Sequence, residues 1–562
     1  MCTYLPRCES ECLIVFQPAD QTQGHGTLNA IYAAVERSCK ERQWDGVDVL
    51  IIGGDFQAVR NAADLSVMSC PVKYRELGDF HEYYSGARKA PYLTLFVAGN
   101  HEASSHLWEL YYGGWAASNI YYMGAANVLR LGPLRIMGMS GIWKGFDYRK
   151  PHHERLPFSQ DDVKSFYHVR EIDVRKLLQL RTQVDIGISH DWPRAVEKHG
   201  NQRHLFNMKP DFERESHDGT LGNVAAEYVM DRLRPPYWFS AHMHCKFSAI
   251  KTYEPPPKTA TDSTLDEPDN LAAAKAAPKT AAPTAEAPPP TASNKDPIDA
   301  LRALLPASFA KPATAPLSQQ PKTTPGQPVP ETITNTTVRF LALDKCLPGR
   351  KFLQLCEIPP FSPPTDTTTT AAAIQPPAEA DADNNTPQRP RYKLQYDPEW
   401  LAINRVFASS ITIGDRTAQI PANQGEAAYR ALIEAEEAWV DEHLVRQKKL
   451  DVPENFVQTA PPHVPGAPEI TSEQPDEYTN PQTVTYCALI GVPNQWAASE
   501  EERQERKVRG PPPAEFGGGG GGRGGGGGYR GGGGGGRGGW RGGRGGGGGG
   551  GRGRGRGRGG RW

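Results

Sequence analysis

Five short polar strings constrain this chain more than any other feature: Gly24-His25-Gly26, Gly54-Asp55, Gly99-Asn100-His101-Glu102, Ser189-His190-Asp191 and His242-Met243-His244. They occur in that order, each placed just after a predicted strand. The β-rich runs are Val47 to Ile52, Tyr92 to Val97, Leu134 to Met137, Val184 to Ile188 and Tyr237 to Phe239. Between them lie helical patterns, with Leu28, Ile31, Tyr32 and Val35 on one face over Leu28 to Cys39, and Tyr228, Val229 and Leu233 over Ala226 to Leu233. Such alternation predicts a layered α/β domain. Strand C-terminal ends converge on one edge of an α/β sheet, so side chains far apart in sequence can meet in one crevice. A single Gly-Asp or a lone histidine is most often a turn residue or a satisfied polar group, but five strings in one order at strand ends are not explained that way.

The residue types point to two divalent ions. One carboxylate, Asp55, can bridge two cations about 4 Å apart, while imidazoles and an amide oxygen fill the outer positions. Asn100, His190 and His242 form one pocket with Asp55, and His25 and His244 form the other. His242 and His244, two apart beside a strand, face the same side. Such a pair of ions lowers the pKa of a shared water and neutralises phosphate oxygens during in-line attack. His101, adjacent to a ligand, is left as the general acid for the departing oxygen. Iron, zinc and manganese suit this donor set alike.

Composition divides the chain. A mixed α/β catalytic domain is expected over residues 1–251, a disordered Pro/Ala/Thr linker over 252–332, and a smaller C-terminal domain over 333–450 with a disordered insertion at 359–389. Within this second block, Thr337 to Ile358 reads as two strands around a Pro348-Gly349 turn, and Glu426 to Lys449 as a helix. Residues 451–516 read as linker. From 517 to 562 the chain is an Arg-Gly-Gly tail carrying Arg523, Arg530, Arg537 and Arg541 among its arginines, with Tyr529, Trp540 and Trp562 interspersed. Guanidinium groups contact phosphates and stack on bases, so the tail predicts salt-sensitive RNA binding. Because the tail holds only arginines among its charged residues while the formal net charge of the whole is −1, the remainder is acidic. Nine cysteines without CxxC spacing fit a reducing compartment. Apolar runs such as Val49 to Ile52 stay far short of the ~20 residues a membrane span needs.

The ordered pattern from about Gly24 to Phe247 resembles the calcineurin-like metallophosphoesterase superfamily. Longer strings narrow the resemblance. Gly53-Gly54-Asp55-Phe56-Gln57-Ala58-Val59-Arg60-Asn61, Gly99-Asn100-His101-Glu102-Ala103-Ser104, Tyr112-Gly113-Gly114-Trp115, Asp147-Tyr148-Arg149-Lys150, Ser189-His190-Asp191-Trp192-Pro193 and Trp238-Phe239-Ser240-Ala241-His242-Met243-His244 look like RNA lariat debranching enzymes. The resemblance implies a calcineurin-like β-sandwich flanked by helices, with a small C-terminal domain that buttresses the catalytic unit and carries no chemistry. It implies metal roles for His25, Asp55, Asn100, His190, His242 and His244, and His101 as the acid. It further implies that an insertion of roughly 144–167 recognises the lariat, with Tyr148, Arg149, Lys150 and His152 as substrate contacts. The implied reaction is hydrolysis of the 2′,5′ phosphodiester bond of excised intron lariats during mRNA splicing, in the nucleus, beside splicing-associated proteins. The alternatives are a lariat-binding scaffold that has lost turnover and a general metallophosphatase.

The chain departs from the family pattern at its start. Gln23 stands where the family carries a cysteine ligand, and a neutral amide is a far weaker ligand than a thiolate. The apolar run Leu13 to Phe16 is followed by Gln17-Pro18-Ala19-Asp20, so the expected first strand stops too early. The favoured reading is a wrongly assigned first exon over residues 1–23; the alternative is true divergence that weakens the second metal pocket.

Overall fold

Strands rich in Val, Ile and Leu alternate with amphipathic helices, and the chain folds them into two sheets. A computed structural model describes residues 28–254, 328–361 and 392–513, with the backbone of 11–16. His25, Gln23, most of the expected linker and insertion, and the Arg-Gly-Gly tail lie outside the described residues. All described residues belong to one unit, Met1–Glu515.

Thirteen strands are present among the described residues: β1 (Glu11–Phe16), β2 (Val49–Ile52), β3 (Thr94–Phe96), β4 (Gly114–Ala117), β5 (Ile120–Tyr122), β6 (Ala126–Leu131) and β7 (Leu134–Met139). The remainder are β8 (Ile186–Ser189), β9 (Tyr237–Ser240), β10 (Phe247–Thr252), β11 (Thr337–Ala342), β12 (Leu353–Ile358) and β13 (Leu394–Tyr396). One sheet has the order β12-β1-β2-β3-β5-β4 and the other β10-β11-β9-β8-β7-β6-β13. The central strands are parallel, as crossover helices require. They read as unbroken apolar runs because both faces are covered. In β2, Val49 and Ile51 enter the larger core that joins both sheets, whereas Leu50 and Ile52 enter a second core with Leu28, Ile31 and Val35 of the helix Leu28–Arg42. Each fully buried aliphatic side chain contributes about 1.5–3 kcal/mol.

The run Leu13 to Phe16 forms a strand that ends at Phe16, as read, and its backbone pairs in parallel with β2 from Leu13 opposite Val49 to Phe16 opposite Ile52. Two features differ from the pattern read in the sequence. The two strands around Pro348-Gly349 do not pair with one another. β11 inserts between β10 and β9, while β12 covers the edge of β1, so this short connection crosses from one sheet to the other. With β13 closing the β6 edge, the C-terminal block supplies three strands to the two sheets. It completes the sandwich and leaves fewer open edges.

The stretch 451–516 reads as linker, yet its described part, through 513, carries the helices Pro481–Leu489 and Glu500–Arg509 and buries Ala460, Tyr486, Ile490 and Trp496. Its anchors are spaced too widely to give a period. The Trp115 indole donates to the Pro453 carbonyl at 2.8 Å, Gln482 accepts from the Trp115 amide at 2.7 Å, and Trp496 stacks on Tyr111 at 4.4 Å. No helix among the described residues is long and apolar enough to cross a membrane.

Candidate metal centre

β2 ends at Ile52 and delivers Gly53-Gly54-Asp55 to the sheet edge. The turn needs its glycine: Gly54 has φ +107°, and a Cβ there would lie 2.3 Å from His190 Nδ1. A Cβ on Gly99, at the end of the next strand, would lie 2.1 Å from Asp55 Oδ1. The metal-ligand candidates are themselves held in the left-handed region, with φ of +52° at Asp55, +55° at His242 and +53° at His244. Such conformations cost of order 1–3 kcal/mol each and persist only where surrounding structure enforces them.

Four candidate donors converge on one point. His190 Nε2 lies 3.3 Å from Asn100 Oδ1, 3.1 Å from His242 Nδ1 and 3.4 Å from Asp55 Oδ1. The other ring nitrogen of His190 stands 2.9 Å from the Gly53 carbonyl, which fixes it as the protonated one and leaves Nε2 as a lone-pair donor. The His101 amide donates to Asp55 Oδ1 at 2.9 Å. Burial works against ionisation of Asp55, but His190 and His101, with the His101 amide bond, outweigh it and hold the carboxyl well below the usual range. Burial, reinforced by His190, lowers His242 and keeps it neutral. Among the described residues no three His, Cys, Asp or Glu side chains stand as a finished cage. The set formed here is completed by an amide oxygen, and an ionised carboxylate, a neutral imidazole and a fixed tautomer are the forms that bind divalent ions. The residues fit the group.

The sequence reading left two neighbouring carboxylates without a role. Glu102 is buried and accepts three backbone N–H groups, from Phe56 at 2.7 Å, Gln57 at 2.8 Å and Gly99 at 3.0 Å. It therefore ties the turn that carries Asp55 to the turn that carries Asn100. Burial, with the charge of Asp55, pushes its carboxyl up to about 8. Asp191 accepts from the Trp143 amide at 3.2 Å and joins the His190 loop to the start of the insertion. Burial pushes it up to about 6. The signal for both was their place within motif strings, not any periodicity.

The four substrate contacts expected in the insertion are placed differently from one another. Arg149 is 87% exposed, 3.8 Å from Glu171. Lys150 Nζ lies 3.0 Å from Asp147, and Tyr148 packs on Trp143 at 4.9 Å. His152 is turned inward, 2.6 Å from Asp173 and edge-on to Tyr111 at 5.2 Å.

A two-layered sheet scaffold that gathers Asp55, Asn100, His190 and His242 at its strand ends defines a metallophosphoesterase, and the calcineurin-like phosphoesterase family matches residues 23–246. The family of the lariat debranching enzyme C-terminal domain matches residues 335–495. This chain belongs to the lariat debranching enzyme family. It is 38% identical to the lariat debranching enzyme of Schizosaccharomyces pombe over 83% of this chain and 94% of that protein. It is 37% identical to the human lariat debranching enzyme, covering 83% of this chain and 68% of that one. With the Arabidopsis thaliana enzyme of the same name it shares 33% identity over 84% of each.

Proposed function

We propose that this chain hydrolyses the 2′,5′ phosphodiester bond at the branch of excised intron lariats. The observation that carries this reading is the convergence of Asp55, Asn100, His190 and His242 within 3.1–3.4 Å around His190 Nε2, with His101 bonded to Asp55 beside them, in a chain whose relatives bear the name of that activity. His25, Asp55, Asn100, His190, His242 and His244 hold two divalent ions, drawn from iron, zinc or manganese. When bound, these ions supply positive charge against the phosphate and acidify a water.

The rest falls to the chain's own side chains. Glu102 keeps the Asp55 and Asn100 turns in register, so that the donors meet without reorganisation. The backbone of His101 is fixed by Asp55, leaving its imidazole to protonate the departing ribose oxygen. Arg149 offers an exposed guanidinium to the RNA backbone, and Tyr148 and Lys150 shape the surface around it, while His152 is held inward on Asp173. The Arg-Gly-Gly tail adds RNA affinity without reading sequence. An intron-lariat substrate and an RNA-binding tail favour a nuclear location, with splicing-associated proteins as neighbours.

Cleavage of a synthetic 2′,5′-branched RNA beside its linear 3′,5′ counterpart tests the reading, with manganese or iron plus zinc supplied. Selective cutting at the branch supports it. Turnover of an aryl phosphate monoester with none on branched RNA would replace it with a general phosphatase. Gln23, where the family has a cysteine, favours a second reading as a lariat-binding scaffold. Two tightly held ions per purified chain would exclude that one.

A further inference from the structure

Phe146 is the only exposed phenylalanine, tyrosine or tryptophan among the described residues, with 72% of its surface open. It stands at the tip of a turn that is held unusually firmly for a surface loop. The amides of Asp147 and Tyr148 both donate to the Lys144 carbonyl at 3.1 Å. The Asp147 carboxylate is clasped by His168 Nδ1 at 2.6 Å and Lys150 Nζ at 3.0 Å, and its carbonyl accepts from buried Arg170 at 2.7 Å. An exposed phenyl ring is ordinarily one of many tolerated surface apolar groups. Here the chain spends a buried arginine and a carboxylate–imidazole pair on holding one in place.

The ring also does not stand alone. Phe146 meets His168 edge-on at 5.8 Å, His168 meets Tyr167 edge-on at 5.0 Å, and the Tyr167 hydroxyl bonds Ser69 at 2.9 Å. The Tyr167 carbonyl accepts from the Ile142 amide at 3.0 Å, and the adjoining Gly141 amide donates at 2.8 Å to the carbonyl of Ala98, two residues before Asn100, which ties the inner end of this ladder to the turn that carries Asn100. Arg149, on the same turn, is 87% exposed. A fixed aromatic face with a cation on the same turn is what a single-stranded nucleic acid requires: a surface for the base and a charge for the phosphate.

We propose that Phe146 is a stacking platform for a nucleobase of the branched RNA next to the scissile phosphate, positioned by the Asp147–His168 pair and joined to the centre through Tyr167. This rests on the debranching reading. It makes Phe146, rather than the Tyr148 ring packed against Trp143, the base-contacting residue of the insertion.

The test compares the full chain with Phe146→Ala, Phe146→Leu and Phe146→Tyr on branched RNA and on bis(p-nitrophenyl) phosphate, which has no base. Phe146→Ala and Phe146→Leu should raise KM for branched RNA about tenfold, the size of one base–aromatic stack. Phe146→Tyr should keep the parent value, and turnover of bis(p-nitrophenyl) phosphate should not change. In a His101→Ala background, branched RNA carrying 2-aminopurine beside the branch should be quenched on binding by Phe and Tyr at position 146 and not by Ala or Leu. Leu performing as well as Phe, unchanged quenching in Phe146→Ala, or an equal fall in bis(p-nitrophenyl) phosphate turnover would each overturn the proposal. Quenching that depends on the ring in a chain that cuts no branched RNA would instead sink the debranching reading and leave the platform standing.

Discussion

The Glu102 carboxylate accepts the Phe56 amide at 2.7 Å, across 46 positions of sequence, and through its two oxygens also takes the amides of Gln57 and Gly99. One side chain thereby sets the spacing of two turns that must present Asp55 and Asn100 to the same point. A buried donor left without a partner costs about 1–3 kcal/mol, and Glu102→Ala leaves three. We expect this variant to lose at least ~3 kcal/mol of stability in urea unfolding and most of its bound metal. Glu102→Gln, which keeps one acceptor oxygen, should fall between it and the parent. A Glu102→Ala chain with full metal content would show that the turns hold themselves.

His101 and Asp55 are joined by a 2.9 Å hydrogen bond but should fail differently. Removing a general acid costs about 10²–10⁴-fold in rate. His101→Ala is expected to keep metal and branched-RNA affinity while losing cleavage by that factor, since its amide bond to Asp55 is untouched. Asp55→Ala is expected to lose both metal and cleavage. Metal analysis alongside single-turnover kinetics separates the two, and equal cleavage by His101→Ala and the parent would remove His101 from its role.

Arg60, five residues beyond Asp55, is fully buried between two carboxylates, with Asp64 at 2.8 Å and Glu109 at 2.6 Å, and also donates to Thr459 at 2.9 Å. The two carboxylates hold the guanidinium firmly charged against the pull of burial. Arg60→Ala would leave two buried acids facing each other. A loss of about 3–5 kcal/mol is expected, read as a shift of the urea midpoint, because breaking a buried pair strands its partners. Thr459→Val should cost about 1 kcal/mol.

Burial alone would raise the Asp147 carboxyl, but His168 and Lys150 outweigh it and hold it down at about 2. A carboxyl lowered in the folded state stabilises the fold above its unfolded pKa and loses that contribution as pH falls through its folded value. The stability gap between the parent and Asp147→Asn should therefore be full at pH 7. It should shrink only below about pH 4, on the way towards 2. A gap that widens between pH 7 and 5 would mean that protonation of His168, which Asp147 favours, governs the brace.

The convergence of Asp55, Asn100, His190 and His242 was the most legible part of the molecule, for a chemical reason: few residue types are suited to divalent ions, and the turns that carry Asp55 and Asn100 are marked by Gly54 and Gly99. β2, β8 and β9 announced themselves as unbroken apolar runs. β4 and β5 did not, although Asn119, with φ +63°, marks a two-residue hairpin turn between them. Short strands packed so closely leave no polar punctuation to read. The fate of 451–513 was hidden for a different reason. A segment held by isolated anchors such as Ala460, Gln482 and Trp496, with short helices between stretches of irregular chain, shows no sustained period, so its partners, Tyr84, Trp115 and Tyr111, become visible only in three dimensions. His152 shows the converse limit: a histidine in a basic stretch reads as surface until Asp173 is seen behind it.

β10 and β11 pair in register from Phe247 opposite Ala342 to Thr252 opposite Thr337, so the chain leaves the sheet and comes back to it side by side. Whatever is spliced between those two threonines changes the length of a loop whose ends are already clamped, and each doubling of such a loop costs only about 0.6 kcal/mol. The pair is thus a natural port. A fluorescent reporter, an affinity handle or a new pair of chain ends can be installed there, on the outermost hairpin of the seven-stranded sheet, without a tether at either existing terminus.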